Sequence, residues 1–358
     1  MPETHRSGAS QLQSLPTTST GTPSAAAVES GLVAAARSGD EDAFAALVAP
    51  YWRALHLHCY RLLGSYHDAQ DATQEVMLRA WRSLHTFQDR APLRAWLYRI
   101  ATTTCLKVLE ASDRRQARIG PEDEVTHLQP YPDRLLDELT DASGDPAAIA
   151  EQRESVALAF VAAVQRLPAR QRAVLILRDV LEWSAAEVAD LLETSVAAVN
   201  SALQRARQSL AKPVSGDRSP STLSASADEN ELVRRFVSAW ERRDITALAA
   251  LLREDAVLHM PPILVHISGR QEIADFFSSV PAAGHLDWIR LVPTRANGQP
   301  TLAAYIQGED GSWDAYGLMV LTLSGNLIQR ITGFPDPTMF EPFGLVTAPQ
   351  SLPLQRPE

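Results

Sequence analysis

Asn200, Ser201, Gln204, Arg205 and Arg207 recur along one face of a predicted helix near the middle of this chain of 358 residues. Amide, hydroxyl and guanidinium groups at that spacing can hydrogen-bond base edges and phosphates. The opposite face carries Val196, Val199, Leu203 and Ala206, which are predicted to be buried. Ser195 stands where a side chain can cap this helix. Upstream, Ser184-Ala-Ala-Glu187 has the spacing of a capping box for a shorter helix with Val188, Leu191 and Leu192 on its apolar side. Two capped helices joined by a tight turn at 193–195 predict a helix-turn-helix whose second helix enters a DNA major groove. The plain alternative is a three-helix packing unit with a solvated polar face.

A second group is acidic. Asp68, Asp71 and Glu75 fall on one stripe of a predicted helix that begins at Ser65, and Leu78 and Arg82 extend the stripe. Acids in a first helical turn favour the helix dipole without any partner. That accounts for Asp68 and in part for Asp71; Glu75 lies deeper, so the stripe reads as a docking strip. Ala69, Ala72, Val76, Ala80 and Leu84 form the separate core stripe. Next comes the loop 84–92, with Phe87, Gln88, Asp89 and Arg90, followed by a helix bearing Arg94, Arg99, Thr103 and Lys107. Rings interleaved with cations suit single-stranded nucleic acid; Trp96 is expected to be mostly core.

Other chemistry is poorly supported. His56, Cys59 and His67 lack the four paired ligands of a zinc site, so no metal is expected. Asp255, His259, His266, Tyr305, Asp314 and Tyr316 are acid–base groups, but their spacing defines no nucleophile–base pair. Glycine motifs for phosphates or dinucleotides are lacking, and no cofactor is expected.

The elements that must position these groups fall into blocks. Residues 1–29, rich in Ser, Thr, Pro and Ala, read as a disordered leader. Residues 30–112 read as a helical bundle, with one helix from Asp40 to Leu63 that buries Phe44, Leu47, Val48, Trp52 and Leu55 and ends at Gly64. Residues 113–147 lose periodicity, include Gln129-Pro-Tyr-Pro-Asp133, and read as an acidic linker. Residues 148–213 are helical again, and 214–228 form a Ser-rich flexible linker. Residues 229–342, with helices followed by an antiparallel run of strands, predict an α+β domain, and 343–358 a tail. The fold class is therefore multidomain: two all-α domains plus a C-terminal α+β domain. The formal charge of −10 is unevenly placed. Residues 30–112 hold 9 Lys and Arg against 8 Asp and Glu, and residues 148–213 hold 8 against 7. The excess acid lies in 113–147 and 228–342, so DNA contact must rest on local arginine placement. Two cysteines form no disulfide framework, and no apolar run is long enough for a membrane helix, so a cytoplasmic protein without membrane attachment is expected.

Taken together, three segments carry a resemblance. Residues 68–82 resemble the helix by which sigma-70 factors grip the largest subunit of RNA polymerase. Arg94-Ala-Trp-Leu-Tyr-Arg-Ile-Ala-Thr102 resembles the adjoining segment that faces the melted −10 element. Leu167-Pro-Ala-Arg-Gln-Arg172, with the helix-turn-helix after it, resembles the region that reads the −35 element. Across residues 30–213 the chain is similar to the extracytoplasmic-function (ECF) class. It departs from many members at Thr103, Thr104, Asn200 and Ala202. Met260-Pro-Pro262, residues 269–277 and the closing strand at 327–334 resemble the SnoaL-like family, a curved, cone-shaped sheet with helices over its mouth. Sigma factors of the sigma-G and sigma-J types carry such a domain.

The resemblance implies a transcription initiation factor rather than an enzyme. Asp68, Asp71, Gln74, Glu75, Leu78 and Arg82 would bind core polymerase. Phe87, Gln88, Asp89, Arg90, Arg94, Arg99, Thr103 and Lys107 would face the −10 region. Ser195, Val196, Ala197, Asn200, Ser201, Gln204, Arg205 and Arg207 would face the −35 region. The cone, lined by Trp240, His259, Trp288, Tyr305 and Tyr316, would suit a small apolar ligand, and the C-terminal domain would modulate activity. Core RNA polymerase and promoter DNA are the expected partners, with the ligand or an anti-sigma protein as further ones. Two competing readings are an isomerase or cyclase with a DNA-binding appendage, and a helix-turn-helix regulator that works without polymerase.

Overall fold

The computed structural model of the chain describes residues 25–87, 92–119, 128–140, 155–211, 227–263 and 265–349. Helices α1 (Ala25–Arg37) and α2 (Glu41–Val48) belong to a compact unit that ends at Pro50, with Val33, Ala36, Ala43, Leu47 and Val48 buried. Asp40 starts α2 by accepting the Ala43 N–H at 2.9 Å. The single helix expected from Asp40 to Leu63 is interrupted by a 3-10 turn at Ala49–Tyr51. Pro50 has no N–H to give and its ring crowds the preceding turn. Trp52, expected in the core, is exposed.

The second unit starts at Tyr51. Helices α3 (Trp52–Leu63), α4 (Tyr66–Ser83) and α5 (Leu93–Ile119) pack together around Leu55, Leu62, Val76, Ala80, Leu93 and Leu97. Gly64 ends α3 in the left-handed conformation that glycine adopts without steric cost, and its N–H bonds to Tyr60 O at 2.7 Å. Ser65 caps α4 through the Asp68 N–H at 3.1 Å. Residues 113–147 are not a featureless linker: α5 continues to Ile119, and Asp133–Thr140 forms α6.

Helices α7 (Leu158–Gln165), α8 (Ala169–Leu175), α9 (Ala185–Leu191) and α10 (Val196–Leu210) enclose Val164, Val174, Leu177, Val188, Leu191, Val199, Leu203 and Ala206. Both halves of the capping box are made: the Ser184 N–H reaches Glu187 Oε2 at 2.7 Å, and the Glu187 N–H reaches Ser184 Oγ at 3.2 Å. Ser195 caps α10 through the Ala198 N–H at 3.1 Å. Glu193, with φ of 51°, makes the turn between the two helices. Val196, expected to be buried, is exposed at the first position of α10.

The C-terminal part has helices α11 (Ala227–Glu241), α12 (Ile245–Ala250) and α13 (Arg270–Ser279) against a six-stranded sheet. Its strands are β1 (Leu252–His259), β2 (His266–Ser268), β3 (Ile289–Ala296), β4 (Gln299–Gln307), β5 (Trp313–Ser324) and β6 (Leu327–Phe334), in the order β2-β1-β6-β5-β4-β3. The expected antiparallel run holds from β3 to β6. However, β1 pairs in parallel with β6, so the sheet is mixed. One face, with Leu258, Leu291, Leu302, Leu321 and Ile331, packs on Trp240, Phe236 and Phe277 of the helices. Among the described residues, no helix is long and apolar enough to cross a membrane.

Candidate functional site

The acidic strip is open to solvent. In α4, Ala69, Ala72, Thr73, Val76 and Ala80 are buried, and the other side presents Asp68, Asp71, Gln74, Leu78 and Arg82. Leu78 is 50% exposed, an apolar side chain among charges. Glu75 is half-buried and accepts from Arg79 Nε one turn later at 2.6 Å, so this acid already has a partner within its own helix.

The helix-turn-helix presents its polar face as the spacing predicts. Ser195, Val196, Ala197, Asn200, Ser201, Gln204, Arg205 and Arg207 are all exposed on or beside α10. Arg207 is engaged: its Nε and Nη2 donate to the two carboxylate oxygens of Asp179 at 2.9 and 2.7 Å. This fork ties α10 to the π-helical turn Ile176–Val180. Arg207 is thus turned to Asp179, while Gln204 and Arg205 stay on the open face of α10.

The −10 set is only partly assembled. Phe87 is buried and packs on Trp96, with ring centroids 5.3 Å apart, so it belongs to the core rather than to an open loop. Gln88, Asp89 and Arg90 lie outside the described residues. Arg94 and Lys107 are exposed on α5. The Thr103 hydroxyl donates within its own helix, to Arg99 O at 2.8 Å and Ile100 O at 3.0 Å. Arg99 is ion-paired to Asp190 of α9. Arg172 of α8 sends its guanidinium to Leu62 O at 2.6 Å, at the C-terminal end of α3, where the helix dipole favours a cation. Arg61 in turn donates to Ser155 Oγ at 2.7 Å, and burial lowers its pKa to about 10. The helix-turn-helix block is thus docked on the helices that carry the −10 set.

Sequence reasoning missed a polar seam centred on Tyr131. The Tyr131 N–H donates to Asn297 Oδ1 at 2.8 Å, and the Asn297 N–H donates back to Tyr131 O at 2.9 Å. Asn297 Nδ2 donates to Tyr60 Oη at 2.9 Å and to Val156 O at 2.6 Å. The Tyr60 hydroxyl donates to Gln129 O at 2.9 Å, and Tyr131 Oη shares a hydrogen bond of 2.9 Å with His56 Nδ1. Beside them Asp133 accepts from the Gly298 N–H at 2.8 Å and from Arg295 Nε at 3.3 Å, and Gln129 Nε2 donates to Asp336 Oδ2 at 3.1 Å. Burial raises the pKa of both phenols and lowers that of His56 to about 4, with Arg53 adding to the effect. The β3–β4 hairpin turn, α3 and the 128–133 segment therefore meet at one point. The Pro-Tyr-Pro run was the signal in the sequence: an aromatic held between prolines is a poor solvent-exposed linker.

The five residues expected to line a ligand pocket are not brought together. Trp240 is core, and its indole N–H is satisfied by Leu286 O and Ile289 O at 3.1 Å each. Strand alternation puts Tyr305 on the sheet face opposite Ala304 and its core, where it packs on Phe340 at 5.0 Å. His259 pairs with Thr332 on that same outer face. Trp288 is 47% exposed and stacks on His285 at 4.3 Å, and Tyr316 is exposed at a bulge of β5. Of the acid–base groups, His259 and His266 are partners across β1 and β2 with ring centroids 6.1 Å apart, and Asp255 is held by Arg253 at 2.7 Å.

The chain is similar to known proteins. Residues 47–115 match the family Sigma-70 region 2, residues 157–210 match Sigma-70, region 4, and residues 233–320 match the SnoaL-like domain. The chain is 42% identical over 326 residues to the ECF RNA polymerase sigma factor SigG of Mycobacterium tuberculosis, covering 86% of this chain and 85% of that one. It is 29% identical over 182 residues to the ECF RNA polymerase sigma factor SigW of Bacillus subtilis, covering 49% of this chain and 91% of that one. Among solved structures, the extracytoplasmic function sigma factor SigJ of Mycobacterium tuberculosis has a TM-score of 0.56 at 23% identity, covering 83% of this chain and all of that one. That likeness is one of fold.

Proposed function

The chain belongs to the ECF RNA polymerase sigma factors, which direct transcription initiation, and from that premise we propose how its surfaces divide the work. Asp68, Asp71, Gln74, Glu75, Leu78 and Arg82 dock on core RNA polymerase. Asn200, Ser201, Gln204 and Arg205, with the start of α10 at Ser195–Ala197, read the −35 element in the major groove. Arg94, Arg99 and Lys107 of α5 face the melted −10 strand. The C-terminal domain modulates rather than catalyses. It holds the 128–140 segment through the Asn297–Tyr131 seam, which supports this reading. An anti-sigma protein is compatible with the exposed strip, and the cytoplasm is the compartment where polymerase and promoter are met.

One observation carries this reading. The acidic strip of α4 and the polar face of α10 are solvent-exposed together, while Arg99 on α5 is tied to Asp190. The factor can therefore engage polymerase before its −10 surface is freed. Run-off transcription with purified core polymerase tests it. Gln204→Ala and Arg205→Ala should lower initiation on promoters with an intact −35 element, by about 1–3 kcal/mol for each base contact. Promoters with a scrambled −35 element should respond little. An equal loss on both templates would assign these side chains to phosphates instead.

A further inference from the structure

Tyr98 on α5 is 3% exposed, and its ring is enclosed by groups from three elements. Arg94, one turn earlier, places its guanidinium carbon 5.4 Å from the ring centroid. His58 of α3 lies at 5.0 Å, and Trp183 at 5.8 Å with the planes inclined by 51°. Arg94 and His58 belong to the same helical block as Tyr98. Trp183 does not: it comes from the loop in front of α9.

That loop is built to deliver the indole. The π-helical turn Ile176–Val180 closes with the Leu181 N–H on Ile176 O at 3.0 Å, one residue wider than an α-helical turn. Glu182 follows with φ of 55°, a conformation that costs a non-glycine residue free energy. The Trp183 N–H then bonds to Leu177 O at 2.9 Å, and Arg178 donates to Trp183 O. Ser184 caps α9 immediately afterwards, and the same helix carries Asp190 to Arg99. The short stretch from Trp183 to Asp190 thus brings α5 an aromatic ring for Tyr98 and an oxyanion for Arg99.

An aromatic ring joined to an oxyanion is what a nucleotide presents to a protein, whose stacking rings and cations hold it. We infer that Trp183 and Asp190 together are an intramolecular stand-in for a nucleotide of the melted strand, with the indole in the place of an unpaired base on Tyr98 and the carboxylate in the place of its phosphate on Arg99. The inference rests on the reading of α5 as the melted-strand surface and adds Tyr98 to it. Freed of Trp183, Tyr98 offers a ring between Arg94 and Arg99, the combination that holds single strands.

The test measures binding of a fluorescent single-stranded oligonucleotide to the full-length chain without polymerase. Trp183→Ala with Asp190→Asn should bind at least about tenfold tighter than wild type, the scale of one base–aromatic stack. Adding Tyr98→Leu to that pair should abolish the gain. If indole removal prevents folding, Asp190→Asn alone serves, since that side chain is 79% exposed. It should tighten binding at least about threefold, as expected for releasing one arginine to phosphate. Unchanged affinity in a folded variant, or a gain that survives Tyr98→Leu, overturns the inference. Permanganate mapping of an open promoter complex formed by the wild-type chain and core polymerase separates the two readings. A complex that never melts the −10 region defeats the reading of α5. A melted complex together with unchanged oligonucleotide affinity in the variants defeats only the stand-in.

Discussion

Asn297 shows how much a single side chain can organise. Its φ of 57° suits the β3–β4 hairpin turn, and asparagine tolerates that region better than most residues. From there its amide serves Tyr131 N, Tyr60 Oη and Val156 O at once. Asn297→Ala would leave the Tyr131 N–H and Val156 O unpartnered, at about 1–3 kcal/mol each, and would take one of two bonds from Tyr60 Oη. We expect a loss of about 3 kcal/mol or more in chemical denaturation, with faster hydrogen exchange at the Tyr131 amide. Asn297→Gly, which keeps the backbone freedom, should be no better, because the loss lies in the amide. Full stability in either variant would remove the seam from the fold's energetics. Two buried histidines predict a pH dependence. Burial, with Arg53, lowers the pKa of His56 to about 4, and burial, with Arg61, lowers that of His58 to about 3. In the unfolded chain both titrate near about 6.5. Below that value the unfolded state binds more protons, so stability is full above it and falls as pH drops towards 4. Each histidine contributes at most about 1.4 kcal/mol per pH unit. The buried Asp133 carboxyl, its pKa raised mainly by desolvation, works in the opposite direction at the acid end. The denaturation midpoint should decline steadily between about pH 6.5 and about pH 5. A flat midpoint would mean that neither histidine is held neutral.

At the scale of elements, α4 separates stability from docking. Its buried alanines and Val76 hold the bundle, and Asp71 and Glu75 face away from them. Asp71→Ala with Glu75→Ala should weaken binding to core polymerase by about tenfold or more while changing stability by about 0.5 kcal/mol or less. Within the helix the double substitution breaks the partly exposed Glu75–Arg79 ion pair, and such pairs are worth little. Affinity for core polymerase and a thermal melt decide the matter, and unchanged affinity would remove the strip from docking. The strip and the recognition helix were legible in the sequence because period and capping are local: Ser65, Ser184 and Ser195 each sit three residues before the amide they accept. What was not legible depends on residues distant in sequence. Nothing around Glu182 announces a positive φ or a π-helical turn, because the packing that uses them, Trp183 on Tyr98, joins residues far apart in the chain. The parallel pairing of β1 with β6 skips the strands between them, and periodicity alone says nothing about partners. The ligand pocket failed for a related reason. Aromatic type was read without strand parity, and parity sends Tyr305 and His259 to the face opposite Trp240's core.

On the scale of the whole molecule, the proposed action of the C-terminal domain on initiation would run through the segment it grips. Tyr131, Leu136 and Asp133 of that segment are buried. They are held on one side by Asn297, Gly298 and Arg295 of the sheet domain, and on the other by His56 and Tyr60 of α3. Arg134 adds a bond to Pro342 O at 2.8 Å, beyond the last strand. None of these bonds involves the acidic strip or the polar face of α10, and Thr338 Oγ1 shares a further hydrogen bond of 3.0 Å with His67 Nε2 beside the strip. On this proposal the domain's leverage is geometric: by holding the segment between the two helical blocks, it would set how readily the block with Trp183 and Asp190 leaves α5. A tethered domain meets its docking surface at a high effective concentration, so even a modest seam is occupied most of the time. Truncation after Ser215 removes every hold that comes from the sheet domain and leaves those of His56 and Tyr60. Asn297→Ala removes only the central ones. Both should shift the rate of promoter-specific initiation in the same direction, the truncation by about threefold or more and the point variant by less, as for a two-state equilibrium biased by a few kcal/mol or a fraction of that. The rates should be compared over a range of salt and of core polymerase concentrations, so that altered docking is not mistaken for altered opening. Opposite signs would show that the sheet domain acts through something other than the seam. Equal rates for all three proteins would show that it does not act on initiation at all.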